Sequence, residues 1–345
     1  MIKTIDINAF LALDKTIPVA DVRTPAEFEQ GHLCGANNLP LFTNEERVQV
    51  GTTYKQVGRE QAILLGFDLT GPKWSGYIKR ALEISPEKKI ALYCWRGGMR
   101  SGAMAWALNL YGFEVYLLQG GYKKYRRWVL DKFENTFNIQ ILGGLTGSGK
   151  TRVLAELKAK GEQMIDLEDL AQHQGSAYGS MNVMQQPSQE QFENILAMQL
   201  DQLNPIQQVW MEDESITIGK RFIPKPLWNE MRAAKVTIIK VPLEARVNFL
   251  VEEYGRLDKE FLKECTQKIW KRLGPEQTKN AILAIDEGRM ADFIRLALAY
   301  YDKTYRVGLS KRQPESITEI ECENNDATAN ANLILANQHK LVTLS

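Results

Sequence analysis

Gly144-Leu145-Thr146-Gly147-Ser148-Gly149-Lys150-Thr151 fits G-x-x-x-x-G-K-[ST] at every defined position. It follows the apolar, strand-like run Asn138-Ile139-Gln140-Ile141-Leu142 and leads into a helical pattern over 150–160. Strand, glycine-rich turn and helix are the setting this phosphate-cradling motif requires. Gly144, Gly147 and Gly149 let backbone N–H groups turn inward onto phosphate oxygens. The helix N-terminus adds positive potential, Lys150 adds a point charge, and the Thr151 hydroxyl can face a bound Mg2+. The motif implies a held di- or triphosphate-like group, not NTP hydrolysis.

Around this stretch the pattern is α/β. Gln163–Ile165, 207–211 and 235–241 read as further strands. Ser188-Gln189-Glu190-Gln191 reads as a capping box opening a helix to about 203, and 243–305 is almost wholly helical. Val209-Trp210-Met211-Glu212-Asp213-Glu214-Ser215 ends a strand in acids, which makes Glu212 or Asp213 the candidate acidic partner of the phosphates.

The N-terminal third carries a second anion-cradling loop. Cys94-Trp95-Arg96-Gly97-Gly98-Met99-Arg100-Ser101 follows the apolar run Lys89-Ile90-Ala91-Leu92-Tyr93 and precedes a helical pattern over 99–111. A cysteine at such a turn has its pKa lowered by loop amides and the helix dipole. Arg96 and Arg100 add charge for the thiolate and an anionic donor, which makes Cys94, Arg96 and Arg100 the candidate catalytic set. Two chemistries suit the loop: sulfur or selenium transfer through the cysteine, and phosphate-ester hydrolysis through a cysteinyl phosphate.

These readings give an α/β protein of two domains. A parallel-sheet domain covers 1–130, and a P-loop α/β domain with a helical extension covers 131–345. Joining them, residues 122–128 interleave Lys123, Lys124, Arg126 and Arg127 with Tyr122, Tyr125 and Trp128. That mixture suits phosphate contact and base stacking on RNA, and it equally suits a linker helix packed by its aromatics. Lys268, Lys271 and Arg272 form a second basic cluster, read as a solvated surface.

The bulk properties restrict the rest. A chain of 345 residues with 44% hydrophobic and 25% charged residues is an ordinary globular composition. The net charge is +1; residues 1–137 carry an excess of four cations and the remainder an excess of three anions. RNA contact must therefore come from local patches. No stretch has membrane-span length, and the first residues lack a signal-peptide core, so a cytoplasmic protein without membrane partners is expected. Cys34, Cys94, Cys265 and Cys322 form no CxxC pair, and His32, His173 and His339 form no ligand pattern. No resident metal ligands and no tightly bound cofactor are expected, and Cys34 is read as packing.

Asp21-Val22-Arg23-Thr24-Pro25-Ala26-Glu27-Phe28, Gly31-His32-Leu33 and Gly35-Ala36-Asn37-Asn38-Leu39-Pro40 resemble the two N-terminal signatures of rhodanese domains, a likeness spanning about 4–128 with the Cys94 loop. Five residues separate Cys94 from Arg100, where rhodaneses usually have four. A rhodanese-like domain followed by a P-loop domain, with Cys-Trp-Arg-Gly-Gly-Met-Arg-Ser and Glu-Asp-Glu-Ser, resembles the tRNA 2-selenouridine synthase family. Residues 44–47, 50–52 and 300–302 match that family too. The resemblance implies conversion of wobble 2-thiouridine to 2-selenouridine in tRNAs for Lys, Glu and Gln. Geranyl diphosphate first alkylates the sulfur, and selenium from selenophosphate then displaces it. A selenophosphate-producing enzyme is an implied partner. The residues alone leave open a sulfurtransferase or Cys-dependent phosphatase with a regulatory nucleotide-binding domain.

Overall fold

The computed structural model describes residues 1–173 and 185–342, with side chains up to residue 338. The chain forms two compact units. One comprises Met1–Lys132 with Ser188–Met198, the other Phe133–Pro187 with Gln199–Ser345.

The first unit is built on five parallel strands, β1 (Ile2–Ile5), β2 (Val19–Asp21), β3 (Asn37–Asn38), β4 (Lys89–Tyr93) and β5 (Glu114–Leu118), in the order β1-β5-β4-β2-β3. From Ile90 to Tyr93 the central strand β4 is buried on both faces, which is why it reads as a continuous apolar run. Ala20, Ile90, Leu92, Met104, Leu108, Phe113 and Val115 form the core between sheet and helices. A buried ion pair also ties this unit together. The Arg23 guanidinium meets Asp21 at 2.5 Å, donates to the Gly31 carbonyl at 2.6 Å, and lies 3.7 Å over the Tyr122 ring. Both charges are fully enclosed, so removing either partner would leave the other uncompensated, at a typical cost of about 3–5 kcal/mol.

Ser188–Met198 belongs to the first unit, although its sequence position suggests the second. Ser188 does cap the helix Gln189–Asp201, accepting the Gln191 N–H at 2.9 Å. The capping box is only half made, because the Gln191 side chain accepts the His32 N–H at 2.8 Å. Asn194, fully buried, donates to the Tyr122 hydroxyl at 2.9 Å and the His32 carbonyl at 3.0 Å. Contacts across more than 150 residues of chain thus claim this segment, and local pattern carries no trace of them.

The second unit has β6 (Ile139–Gly144), β7 (Gln163–Ile165), β8 (Val209–Glu212), a small hairpin of β9 (Thr217–Ile218) and β10 (Arg221–Phe222), β11 (Lys235–Lys240) and β12 (Ile317–Glu321). The main sheet is parallel, in the order β12-β11-β6-β8-β7. β12 is absent from the sequence reading. It is an edge strand in which only Ile320 is fully buried, so its hydrophobic signal is weak. Between β11 and β12, five helices pack around Val247, Leu250, Leu262, Ile285, Phe293 and Leu298 as a separate apolar cluster. Among the described residues, no helix is long and apolar enough to cross a membrane.

Candidate active sites

In the first unit, Cys94 lies at the carboxyl end of β4, 3% exposed. The turn needs glycine. Gly121, at φ +58°, lies so close that a Cβ there would be 2.3 Å from the Cys94 carbonyl. The backbone N–H groups of Tyr122 and Lys123 donate to the carbonyls of Cys94 and Trp95 at 2.8 and 2.9 Å. The helix Gly121–Lys132 therefore buttresses the loop from behind.

The Cys94 thiol accepts from the Ser101 hydroxyl at 3.2 Å and the Gly98 N–H at 3.4 Å. Burial alone would raise its pKa. The hydrogen bonds from Ser101, Gly98 and Arg96 outweigh that and hold the thiol below its ordinary value. The two candidate arginines differ. Arg96 is exposed and forms no ion pair among the described residues, so its charge is free for an incoming anion. Arg100 forms a two-pronged pair with Glu27, at 2.6 and 3.2 Å. Its charge is largely spent on Glu27, a partner the sequence reading missed; Ser101 was quoted in the loop without a role.

The candidate tRNA segment also divides. Lys123, Lys124 and Arg127 are exposed, Arg127 pairing only with Asp131 at 3.0 Å. Arg126 is drawn inward to Asn194 at 2.6 Å and to Glu193. Tyr122 and Tyr125 are fully buried, which removes them as stacking platforms. Trp128 is half-buried, its ring stacked on Tyr125 at 5.8 Å, and the exposed cations of this helix are Lys123, Lys124 and Arg127. Cys34 forms no disulfide and is exposed as a residue, while burial of its thiol beside Tyr125 raises its pKa.

In the second unit the glycine loop joins β6, the middle strand, to the helix Lys150–Ala159. Gly147, at φ +79°, passes so close to the helix Leu243–Tyr254 that a Cβ would meet Leu250 at 2.8 Å. Lys150 Nζ donates to the Gly144 carbonyl at 3.2 Å, and the Thr151 hydroxyl donates to Glu212 at 2.6 Å. Leu142 of β6 pairs with Glu212 of β8, which sets that carboxylate beside the loop. Glu212 is the last residue of β8, and just beyond the strand Glu214 lies with its carboxylate near that of Glu212. Asp213 is held by Arg312 at 2.6 Å and Arg232 at 3.5 Å. Of the two candidate acids, Glu212 is the one at the phosphate cradle.

Two residues far along the chain hold the loop itself. Arg246, paired with Asp302 at 2.8 and 2.9 Å, donates to the Thr146 carbonyl at 3.1 Å. Tyr305 accepts the Gly144 N–H at 3.0 Å. Asp302 belongs to the stretch singled out by resemblance; Arg246 and Tyr305 were visible only as members of a helical run.

Glu168, missed in sequence, joins Glu212 and Glu214, with their oxygens all within 4.8 Å of one another. The sequence reading named no metal ligands; the fold gathers three oxygen donors beside Thr151. Burial, then the charges of Glu212 and Glu214, push Glu168 up to about 9. Burial, then Glu212, push Glu214 up to about 7. Burial raises Glu212 as well, against Lys150 and the Thr151 hydroxyl. The cradle and this cluster share a cavity of about 1080 Å³, whose other wall is Phe249, Leu250, Tyr254, Ile269 and Tyr300.

Residues 8–127 match the rhodanese-like domain, and residues 137–332 match the family described as the tRNA 2-selenouridine synthase AAA domain. The chain belongs to the tRNA 2-selenouridine synthase family. A tRNA 2-selenouridine synthase of Hydrogenovibrio crunogenus is 38% identical over 336 residues, covering 87% of this chain and 91% of the relative. That of Nitrosomonas europaea is 39% identical over 257 residues, covering 72% and 66%. That of Shewanella frigidimarina is 33% identical over 340 residues, covering 87% and 90%. The Cys94 loop lies within the rhodanese-like match and the phosphate cradle within the AAA match.

Two expectations follow from the electrostatics. Ser101→Ala removes a hydrogen bond that favours the Cys94 thiolate, so the pH midpoint for alkylation of Cys94 shifts upward; an unchanged midpoint contradicts that role. In the acidic cluster the folded protein binds protons more tightly than the unfolded chain, whose carboxyls titrate near 4.5. The cluster's contribution to stability is therefore full below about 4.5 and is lost as pH rises from there through about 7 and 9. Denaturation midpoints measured in EDTA fall across that window, and Glu168→Gln flattens the fall. A midpoint equally steep in wild type and Glu168→Gln contradicts the shared proton.

Proposed function

We propose that this chain modifies tRNA by converting 2-thiouridine to 2-selenouridine at the wobble position of tRNAs for Lys, Glu and Gln. The observation that carries the reading is the cavity of the second unit. It combines a diphosphate-sized cradle at Gly147–Lys150–Thr151 with an apolar, aromatic wall at Phe249, Leu250, Tyr254 and Ile269. A polar head and a hydrocarbon tail on one ligand fit such a cavity, and geranyl diphosphate has both.

In the first step the thiouridine sulfur attacks C1 of the geranyl group. The C–O bond to diphosphate breaks, an S–C bond forms, and the base loses its N3 proton. Lys150 and the loop amides take the charge that develops on the leaving diphosphate. Glu168, Glu212, Glu214 and Thr151 offer the hard oxygen set that suits Mg2+, which would neutralise diphosphate when bound. In the second step the selenium of selenophosphate, held at the Cys94 loop, adds to C2 of the base; the C–S bond breaks, geranylthiol departs with a proton, and water then cleaves the Se–P bond, releasing phosphate and leaving 2-selenouridine. Arg96 and the loop amides receive the phosphate end of the donor, while Ser101 and Gly98 keep Cys94 ionised. A selenophosphate-producing enzyme supplies that donor.

Separate assays of the two steps test the assignment. Lys150→Ala removes a charge-assisted contact and lowers geranylation about tenfold to a hundredfold, while selenation of supplied S-geranyl tRNA survives. Cys94→Ala does the reverse. Equal collapse of both steps in either variant, with tRNA still bound, overturns the division of labour.

A further inference from the structure

The basic cluster Lys268, Lys271 and Arg272, read from sequence as ordinary solvated surface, has a different setting in the fold. It surrounds Trp270 on the short helical turn Trp270–Leu273, which follows the helix Lys259–Lys268. The turn is pinned from beneath by Ile269 and Leu273, both buried in the helical cluster. Trp270 is 42% exposed, with Lys271 Nζ 5.8 Å from its ring centroid. Ile269 and Arg272, flanking it, line the cavity that holds the phosphate cradle. Arg272 donates to the Tyr300 hydroxyl at 3.4 Å, across the same cavity wall.

The charges here are unneutralised. Neighbouring cations are paired: Lys263 with Glu260 and Asp286, Arg289 with Glu287 and Asp292, Arg295 with Glu244 and Asp292. Lys268, Lys271 and Arg272 are exposed and form no salt bridge among the described residues. A lone exposed tryptophan needs no explanation. An exposed tryptophan with three exposed cations within two residues of it in sequence, none in a salt bridge among the described residues, and with cavity-lining Ile269 and Arg272 beside it, has the composition of a single-stranded nucleic-acid platform. The ring takes an unpaired base, and the cations take the flanking phosphates. A duplex offers no free base face to it.

We propose that residues 268–272 are the rim on which a single-stranded RNA loop docks, with Trp270 stacking on one base and Lys268, Lys271 and Arg272 binding phosphates, so that an adjacent nucleotide enters the cavity. The inference rests on the tRNA-modifying reading above and names where the substrate loop is held.

The test is a titration of the full chain with a labelled anticodon stem–loop RNA, using a perfect RNA duplex of equal length as comparison. Trp270→Ala weakens stem–loop binding about tenfold and leaves duplex binding unchanged, and Trp270→Phe restores most of the loss. Lys268→Ala with Lys271→Ala lowers the slope of log affinity against log salt by about 0.7 for each lysine removed. If wild type binds and modifies the RNA while these variants bind it with unchanged affinity and slope, the rim is overturned and the tRNA reading stands. Equal losses for stem–loop and duplex, or no rescue by Trp270→Phe, also overturn the stacking platform. If wild type neither binds nor modifies the RNA, both readings fail. Should Trp270→Ala not fold, the phenylalanine and lysine variants decide alone.

Discussion

A parallel strand that ends in a tight turn into a helix leaves several backbone N–H groups without partners, all facing one small volume. Both candidate sites occupy that volume, one after β4 and one after β6. In the first, the amides converge on a thiol and stabilise its anion. In the second, they are left for a phosphate-bearing ligand. Much of the surrounding structure serves to hold these turns. Gly121 and the amides behind it brace the Cys94 loop, while Arg246, Asp302 and Tyr305 brace the glycine loop. Arg246 and Tyr305 act on a carbonyl and an amide of the loop, and Asp302 acts through Arg246.

Charge balance separates the two sites. At the Cys94 loop a single free arginine, Arg96, accompanies the amides, because Arg100 is matched by Glu27. At the glycine loop one lysine faces three carboxylates whose burial, joined for Glu168 and Glu214 by a neighbour's charge, pushes their pKa values above the ordinary carboxylate range. Enclosing three like charges is costly, and a proton or a divalent cation relieves the cost. The arrangement is suited to a ligand that brings both phosphate and its counter-ion, and poorly suited to a bare anion. Phe249, Leu250, Tyr254 and Ile269 line the same cavity and add apolar surface to it.

Motifs whose chemistry is local were legible in the sequence. The Cys94 loop, the glycine loop and the strand before each one depend on neighbours within a few residues, and the structure has them where the spacing indicates. What could not be read depends on contacts between distant stretches. Glu168 and Glu214 matter only because β7 and β8 run side by side. The choice between Glu212 and Asp213 turns on distant partners: the Thr151 hydroxyl meets Glu212, while Arg312 and Arg232 take Asp213. Arg126 looked like surface because its partners, Glu193 and Asn194, lie more than sixty residues away. Ser188–Met198 joined the first unit for the same reason.

The central claim is that this chain places selenium in tRNA. Mass spectrometry of nucleosides from total tRNA, in cells with and without the protein, tests it most directly. The account predicts that 2-selenouridine disappears and 2-thiouridine persists when the protein is absent. An unchanged level of 2-selenouridine would contradict it.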